Sequence, residues 1–339
     1  MRWSLLLVVL GTAGCGDAVA IDDLPDAAQA PAPDARAATP DAAPPDAAAP
    51  VGCGTLLAPT GYIGGIATDA THVYWAERSG FKTRLMKIAK QGGAAIPLAT
   101  IDDDVDELVV QGGDLYLRLD WDKGISRLAA GSSTLEPLAS GEIGAFAIDA
   151  TSVYWIPKLG GREIERVSRF GGEAEVFRAE PDYPLYALAL DGDYVYYATG
   201  YEIRRVPKAN GGTRYEYQGL SFRSSRRMAF DAAYVYTLEG DGIRRIPKPA
   251  EFTVGSTYAD VIERLSDRSF DPPFIAYASS LYAGSGAGSD VIRLPVTGEY
   301  AVPVVRDAGL AFAVDGSGIY FHNLADGIRQ VSLAGCPTP

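Results

Sequence analysis

Histidine is almost missing from this sequence: His72 and His322 are the only two among 339 residues. Chemistry that leans on imidazole has little to draw on, because a zinc site or a nucleophile–base pair needs several such groups within bonding reach. The two lie far apart in the chain, and each is expected to be an isolated loop residue. Basic residues are also scarce, 30 against 43 acidic ones, for a formal net charge of −13. A surface that acidic repels phosphate backbones, so nucleic acid is not expected as a partner. Long apolar runs are missing as well. The run Leu5–Leu10 is too short to span a bilayer, and no other segment does better. Cysteine is limited to Cys15, Cys53 and Cys336, an odd total that needs an explanation.

The first fifty-two residues belong to no core. Met1, Arg2 and Trp3 make a short basic start, and the apolar run after them reads as a signal peptide over residues 1–14. Residues Gly11, Thr12, Ala13, Gly14 and Cys15 resemble a bacterial lipobox. That resemblance implies a diacylglycerol on Cys15 and anchorage without a transmembrane helix. An ordinary secretory signal cut after Ala13 or Ala20 is the alternative, and it leaves Cys15 incidental. Gly16 following the cysteine favours the outer membrane. Residues 15–52 then repeat a Pro-Asp-Ala theme with no apolar periodicity, carrying seven Asp against Arg36. Such a stretch is expected to be a disordered, extended tether.

Residues 53–339 carry a repeat of about forty residues. Its clearest marker is a tyrosine, at Tyr74, Tyr116, Tyr154, Tyr196, Tyr236, Tyr282 and Tyr320, in steps of 42, 38, 42, 40, 46 and 38 residues. A second marker, an Ile-x-Arg-Val-like strand, keeps step with it, as at Ile164–Val167, Ile203–Val206 and Ile243–Ile246. These runs are short, β-branched and aromatic, and bounded by Gly or Asp. Each unit reads as four antiparallel strands, and seven of them predict an all-β, seven-bladed β-propeller. Asp69, Asp149, Asp191, Asp231 and Asp315 each precede a marker tyrosine by five residues. Aspartate suits a turn there because its carboxylate accepts bonds from backbone amides two residues on. The recurring Lys or Arg of the third strand is expected to lay its stem between blades with its charge at the rim.

The last unit, from Ala308, holds only three strands, whereas residues 54–59 resemble the outer strands 95–99 and 135–139. The N-terminal strand is therefore expected to complete the seventh blade. That register sets Cys53 beside Cys336 and predicts a disulfide between them, with Cys15 left for lipid.

Val73-Tyr74-Trp75, Val153-Tyr154-Trp155 and Val195-Tyr196-Tyr197, each followed by the third-strand pattern and glycines, resemble the YWTD class of propeller repeats. The resemblance runs through all seven units. It implies an extracytoplasmic binding or scaffolding domain, here a YWTD-like bacterial lipoprotein with a propeller expected to be monomeric.

Function should then sit on the loops that do not repeat, around one mouth of the central channel. The candidate binding residues on that face are Asp104, Trp121, Asp182, Tyr183, Tyr201, Phe222, Arg223, Arg226, Arg227 and Asp271. Asp102, Asp104 and Asp106 alternate as in a calcium loop, but Glu107 stands where glycine belongs and Gly113 where glutamate belongs, which is no EF-hand. Ca²⁺ is retained only as a weak expectation, and no other cofactor or metal is expected. No residue is singled out as catalytic. The leading expectation is a non-enzymatic module that binds a protein or glycan. The alternative is a lyase or hydrolase on an extracellular polymer, with Asp104, Glu142, Asp182 and Asp271 as its acids.

Overall fold

A computed structural model describes residues 53–120, 122–200, 202–212, 215–218, 227–239, 242–248, 260–264, 270–285, 290–296, 302–306, 308–309 and 311–336. Among these residues the secondary structure is all β, in seven antiparallel sheets of four strands. Blades 1 to 6 are continuous in sequence, over residues 63–101, 105–139, 145–179, 185–218, 228–264 and 270–305. Blade 7 takes three strands from residues 312–331 and its outer strand from Thr55–Ala58, which pairs with Gly327–Val331 through Thr55↔Gln330, Leu56↔Arg329 and Ala58↔Ile328. The innermost strands of blades 7 and 1 lie side by side, so the ring closes. Cys53 and Cys336 are joined as a disulfide across this seam, with Cα atoms 5.9 Å apart.

Strand periodicity explains where the core sits. In the second strand of blade 1, Val73 and Trp75 pack against blade 7 while Tyr74, on the other face, packs against blade 2. Every blade repeats this, giving seven hydrophobic clusters, one at each interface between neighbouring blades. All seven marker tyrosines are buried in them. Opposite six of these tyrosines the third strand carries the recurring Lys or Arg: Tyr116 faces Arg127 and Tyr196 faces Arg205, and blade 7 substitutes Gln330 opposite Tyr320.

These bases do more than shield apolar surface. Arg166, Arg245 and Arg293 each donate to a carbonyl in the following blade, on Lys208 at 3.1 Å, Val296 at 3.0 Å and Leu333 at 3.2 Å. A second set of cations, just past the third strand, reaches back to the turn aspartate of the preceding blade. Lys90 meets Asp315, Lys208 meets Asp149 at 3.1 Å, and Lys248 meets Asp191 at 2.6 Å. The first of these contacts straddles the seam between blades 7 and 1. Each blade is thus tied to its neighbours by both packing and charge.

Four of the five turn aspartates, Asp69, Asp149, Asp231 and Asp315, accept backbone amides as the sequence predicts, whereas Asp191 ends a strand and takes Lys248. Asp69 Oδ1 accepts from the amides of Thr71 at 2.7 Å and His72 at 2.8 Å, while Tyr74 Oη donates to Oδ2 at 2.7 Å. Asp149 and Asp231 repeat the amide pattern, and Tyr236 Oη repeats the tyrosine bond to Asp231 at 2.5 Å. Burial alone would raise the carboxyls of Asp69, Asp149 and Asp231, but these hydrogen bonds hold all three below the ordinary range. Where the third strand turns into the outer one, Gly92, Gly93, Gly171 and Gly172 adopt positive φ, which a side chain resists.

Candidate functional site

The innermost strands surround a channel of about 760 Å³. Six of the seven blades line it, blade 3 being the exception. Apolar side chains, Ile66, Leu108, Met228, Phe274 and Phe312 among them, share its walls with about as much polar surface. Gly64 and Gly65 belong to this wall for a steric reason: a Cβ on Gly64 would fall 2.1 Å from the Val105 carbonyl oxygen, and one on Gly65 would crowd Leu108 at 3.2 Å. Close approach of blades 1 and 2 therefore depends on them.

The charged groups of the channel gather at one mouth, on the face of the interblade loops. Asp106 and Glu107 begin the innermost strand of blade 2, where the chain has just left an acidic loop. Arg118, on the neighbouring strand, lies 3.6 Å from Asp106 and 3.5 Å from Glu107. Arg227 enters from blade 5, three blades away and so on the far side of the ring. Its guanidinium grips Glu107 through both nitrogens, Nη1 to Oε1 at 2.7 Å and Nη2 to Oε2 at 3.4 Å. Burial would depress the Arg227 guanidinium, but the Glu107 carboxylate raises it above its ordinary value. Asp106 moves the other way for a carboxyl: burial pushes it up, Arg118 opposes that, and Asp120 and Asp104 add repulsion. Beside them Arg78 pairs with Asp104 at 2.6 Å and lies 5.5 Å from the exposed ring of Tyr62.

Next to the mouth, a smaller cleft of about 310 Å³ lies between the hairpins of blades 1 and 2. Asp102, Asp103, Asp104, Asp120 and Asp122 line it, together with Lys123 and the fully exposed Phe81. Lys82 takes Asp102 at 2.7 Å and Lys123 approaches Asp103 at 3.9 Å. Among the described residues, no three His, Cys, Asp or Glu side chains are placed to hold a metal ion.

A third group stands apart, at the junction of blades 3 and 4. Glu180 is buried, accepting from Tyr197 Oη at 2.5 Å, Arg204 Nη1 at 2.6 Å and Arg178 Nε at 2.9 Å. Burial would raise its carboxyl, but Tyr197 and the two guanidiniums keep it low. Arg204 also lies over the ring of Tyr183, 4.6 Å from its centre. This network sets the loop at residues 180–185 and leaves Asp182 exposed at its tip.

The candidate residues thus divide. Asp104 and Arg227 reach the channel mouth or its edge, whereas Asp182 and Tyr183 belong to the junction of blades 3 and 4. Asp271 is not in a loop: it lies on the innermost strand of blade 6, opposite Gly284, just before an irregularity in the pairing. That strand begins at Phe270, so pairing continues through the stretch expected to be a connection. Cys15, Trp121, Tyr201, Phe222, Arg223 and Arg226 lie outside the described residues.

The sequence places Asp106 and Glu107 on this face only as part of an acidic loop, and nothing in it points to Tyr62 or Arg118. Arg118 looks like any strand residue until Glu107 is placed beside it. His322 also departs from expectation. It is a buried residue of the second strand in blade 7, not a loop residue.

No protein-family model matches the chain, and no curated protein matches it. Solved structures do. The extracellular domain of BT4673 from B. thetaiotaomicron is 14% identical with a TM-score of 0.57, covering 82% of this chain and 39% of that one. The computationally designed Ika8 protein is 12% identical with a TM-score of 0.55, covering 83% of this chain and all of that one. PorZ, a surface component of the type-IX secretion system of Porphyromonas gingivalis, is 12% identical with a TM-score of 0.52, covering 84% and 40%. At these identities the likeness shows the propeller fold.

Proposed function

We propose that this chain is an exported, lipid-anchored propeller of the YWTD-like class that binds a macromolecular partner, protein or glycan, on the face around the channel mouth. The observation that carries the reading is the segregation of charge. Repeating charged residues tie blade to blade, while Asp106, Glu107, Arg118 and Arg227, which do not repeat, meet at the entrance of a 760 Å³ channel that also presents Leu108, Met228 and Phe274. Concave apolar surface with a few converging polar groups is the usual form of a binding site. Export is supported by the disulfide between Cys53 and Cys336, a bond that persists in oxidising compartments. Anchorage rests on the lipobox-like sequence ending at Cys15.

Of the acids weighed for an enzymatic role, Asp104, Glu142 and Asp182 do not line the channel. The acids that do, Asp106 and Glu107, are both engaged by arginine. This arrangement suits recognition better than proton transfer. The test has two arms. Immobilised propeller, residues 53–339, is used to capture envelope proteins and to probe a glycan array, alongside a Tyr62→Ala/Met228→Ala variant that strips the lining of the mouth and leaves its charges in place. Capture that is lost in the variant supports the reading, and capture indifferent to the mouth refutes it. Labelling with radioactive palmitate, expected in the full chain and absent from Cys15→Ser, tests the anchor.

A further inference from the structure

Among the described residues, the pair between Glu107 and Arg227 is unlike the other charged contacts of the ring. The interblade ties join neighbours, whereas this pair joins blades 2 and 5 across the opening, over a separation of 120 residues. It lines the same cavity as Leu108, Met228, Phe274 and Phe312. The blade 2 side of the mouth is strongly acidic. Residues 102–107 and 120–122 carry seven carboxylates, and the bases that meet them from blades 1 and 2 are Arg78, Lys82, Arg118 and Lys123. Three negative charges are left on that side, and Arg227 supplies a cation from the opposite blade. The rim at blade 2 is therefore built to receive a positive group, and part of that demand is met from within.

We propose that Arg227 occupies, in the free protein, the position that an arginine or lysine side chain of a polypeptide partner takes on Glu107 in the complex. This rests on the channel mouth being the binding face and names the chemistry of its occupant. The partner's cation pairs with Glu107, Arg227 swings out of the way, and an apolar residue beside the cation enters the channel. Arg227 then acts as an internal competitor that screens out segments lacking either feature. Attraction between the acidic rim and a basic segment also speeds encounter and makes binding sensitive to salt.

The experiment uses a short fluorescein-labelled peptide of leucine, arginine and serine, and the same peptide with citrulline for arginine, titrated by anisotropy into the propeller of residues 53–339. Arg227→Gln removes the competitor and is expected to bind the arginine peptide about tenfold more tightly, the equivalent of one lost charge pair. Glu107→Gln is expected to abolish that binding, and the citrulline peptide to respond to neither change. Because a single change could disturb folding, the swap Glu107→Arg/Arg227→Glu keeps the internal pair and should move preference toward a peptide with glutamate in place of arginine. The inference is overturned if Arg227→Gln binds no better than the parent, or if the citrulline peptide binds equally well. Should that happen while the Tyr62→Ala/Met228→Ala variant still loses its captured partner, the binding face stands and the cationic occupant falls.

Discussion

Cutting the bond between Cys53 and Cys336 separates two ways of holding the ring shut. The cross-link spans 283 residues, nearly the whole propeller. In the chain-entropy model a closed loop of that length removes about 19 cal/mol/K from the unfolded ensemble, or about 5–6 kcal/mol at 25 °C. Residual structure in the denatured chain lowers what is realised, so a loss of about 3–5 kcal/mol is expected. The folded state should survive, because Thr55–Ala58 still pairs with Gly327–Val331, Arg329 still donates to the Gly54 carbonyl at 2.8 Å, and the Cys336 amide to Val304 at 2.9 Å. The assay is urea unfolding of Cys53→Ser/Cys336→Ser against the parent, followed by fluorescence of Trp75 and Trp155, which are buried in blades 1 and 3. The midpoint should fall, and the urea dependence should steepen because the unlinked chain exposes more surface on unfolding. Amide exchange at residues 55–58 should accelerate more than exchange in blade 3. A loss below about 1 kcal/mol would falsify the entropic account, leaving strand pairing as the whole of the closure.

Other outcomes follow from the same contacts. Asp191→Ala leaves the mostly buried Lys248 without its carboxylate, holding only the Asp231 carbonyl and the face of Phe230, and should cost about 2 kcal/mol, while Asp191→Ala/Lys248→Met should recover much of it, as a double-mutant cycle in urea would show. Asp231→Ala removes the acceptor for two amides and Tyr236 Oη and should cost about 1–3 kcal/mol, read from the same unfolding curves. His322 titrates lower in the folded protein than its ordinary value of 6.5, because burial outweighs the backbone bond at Gly61 and the nearby Asp326. The unfolded chain then takes up the proton first, so this contribution is intact above pH 6.5 and is lost as pH falls through and below it. Unfolding measured from pH 7.5 to 5 should show that decline in the parent and a flatter profile in His322→Leu. Asp69, Asp149 and Asp231 are shifted below 3.8, so their contribution is lost only under more acidic conditions.

The sequence alone determined the propeller, because a repeat states its structure seven times. Tyrosines in step with Ile-x-Arg-Val strands required a common blade, a missing fourth strand in the last unit required a donor, and only residues 54–59 had the pattern to supply it. The disulfide followed from that register without any view of the fold. What tertiary structure decided was which side chains from different blades meet. Glu107 and Arg227 are 120 residues apart, and the points equivalent to Glu107 in blades 1 and 4 hold the uncharged Gly65 and Ala187, so neither spacing nor repeat links the pair. The ring brings blade 2 opposite blade 5, and the mouth of the channel is the one place where both can reach the same point. Glu180 and Arg204 met in the same way, one in a connection and one on a strand that looked like every other. Local sequence sets the period of each blade, whereas the site depends on closure of the ring, a property of all seven blades together.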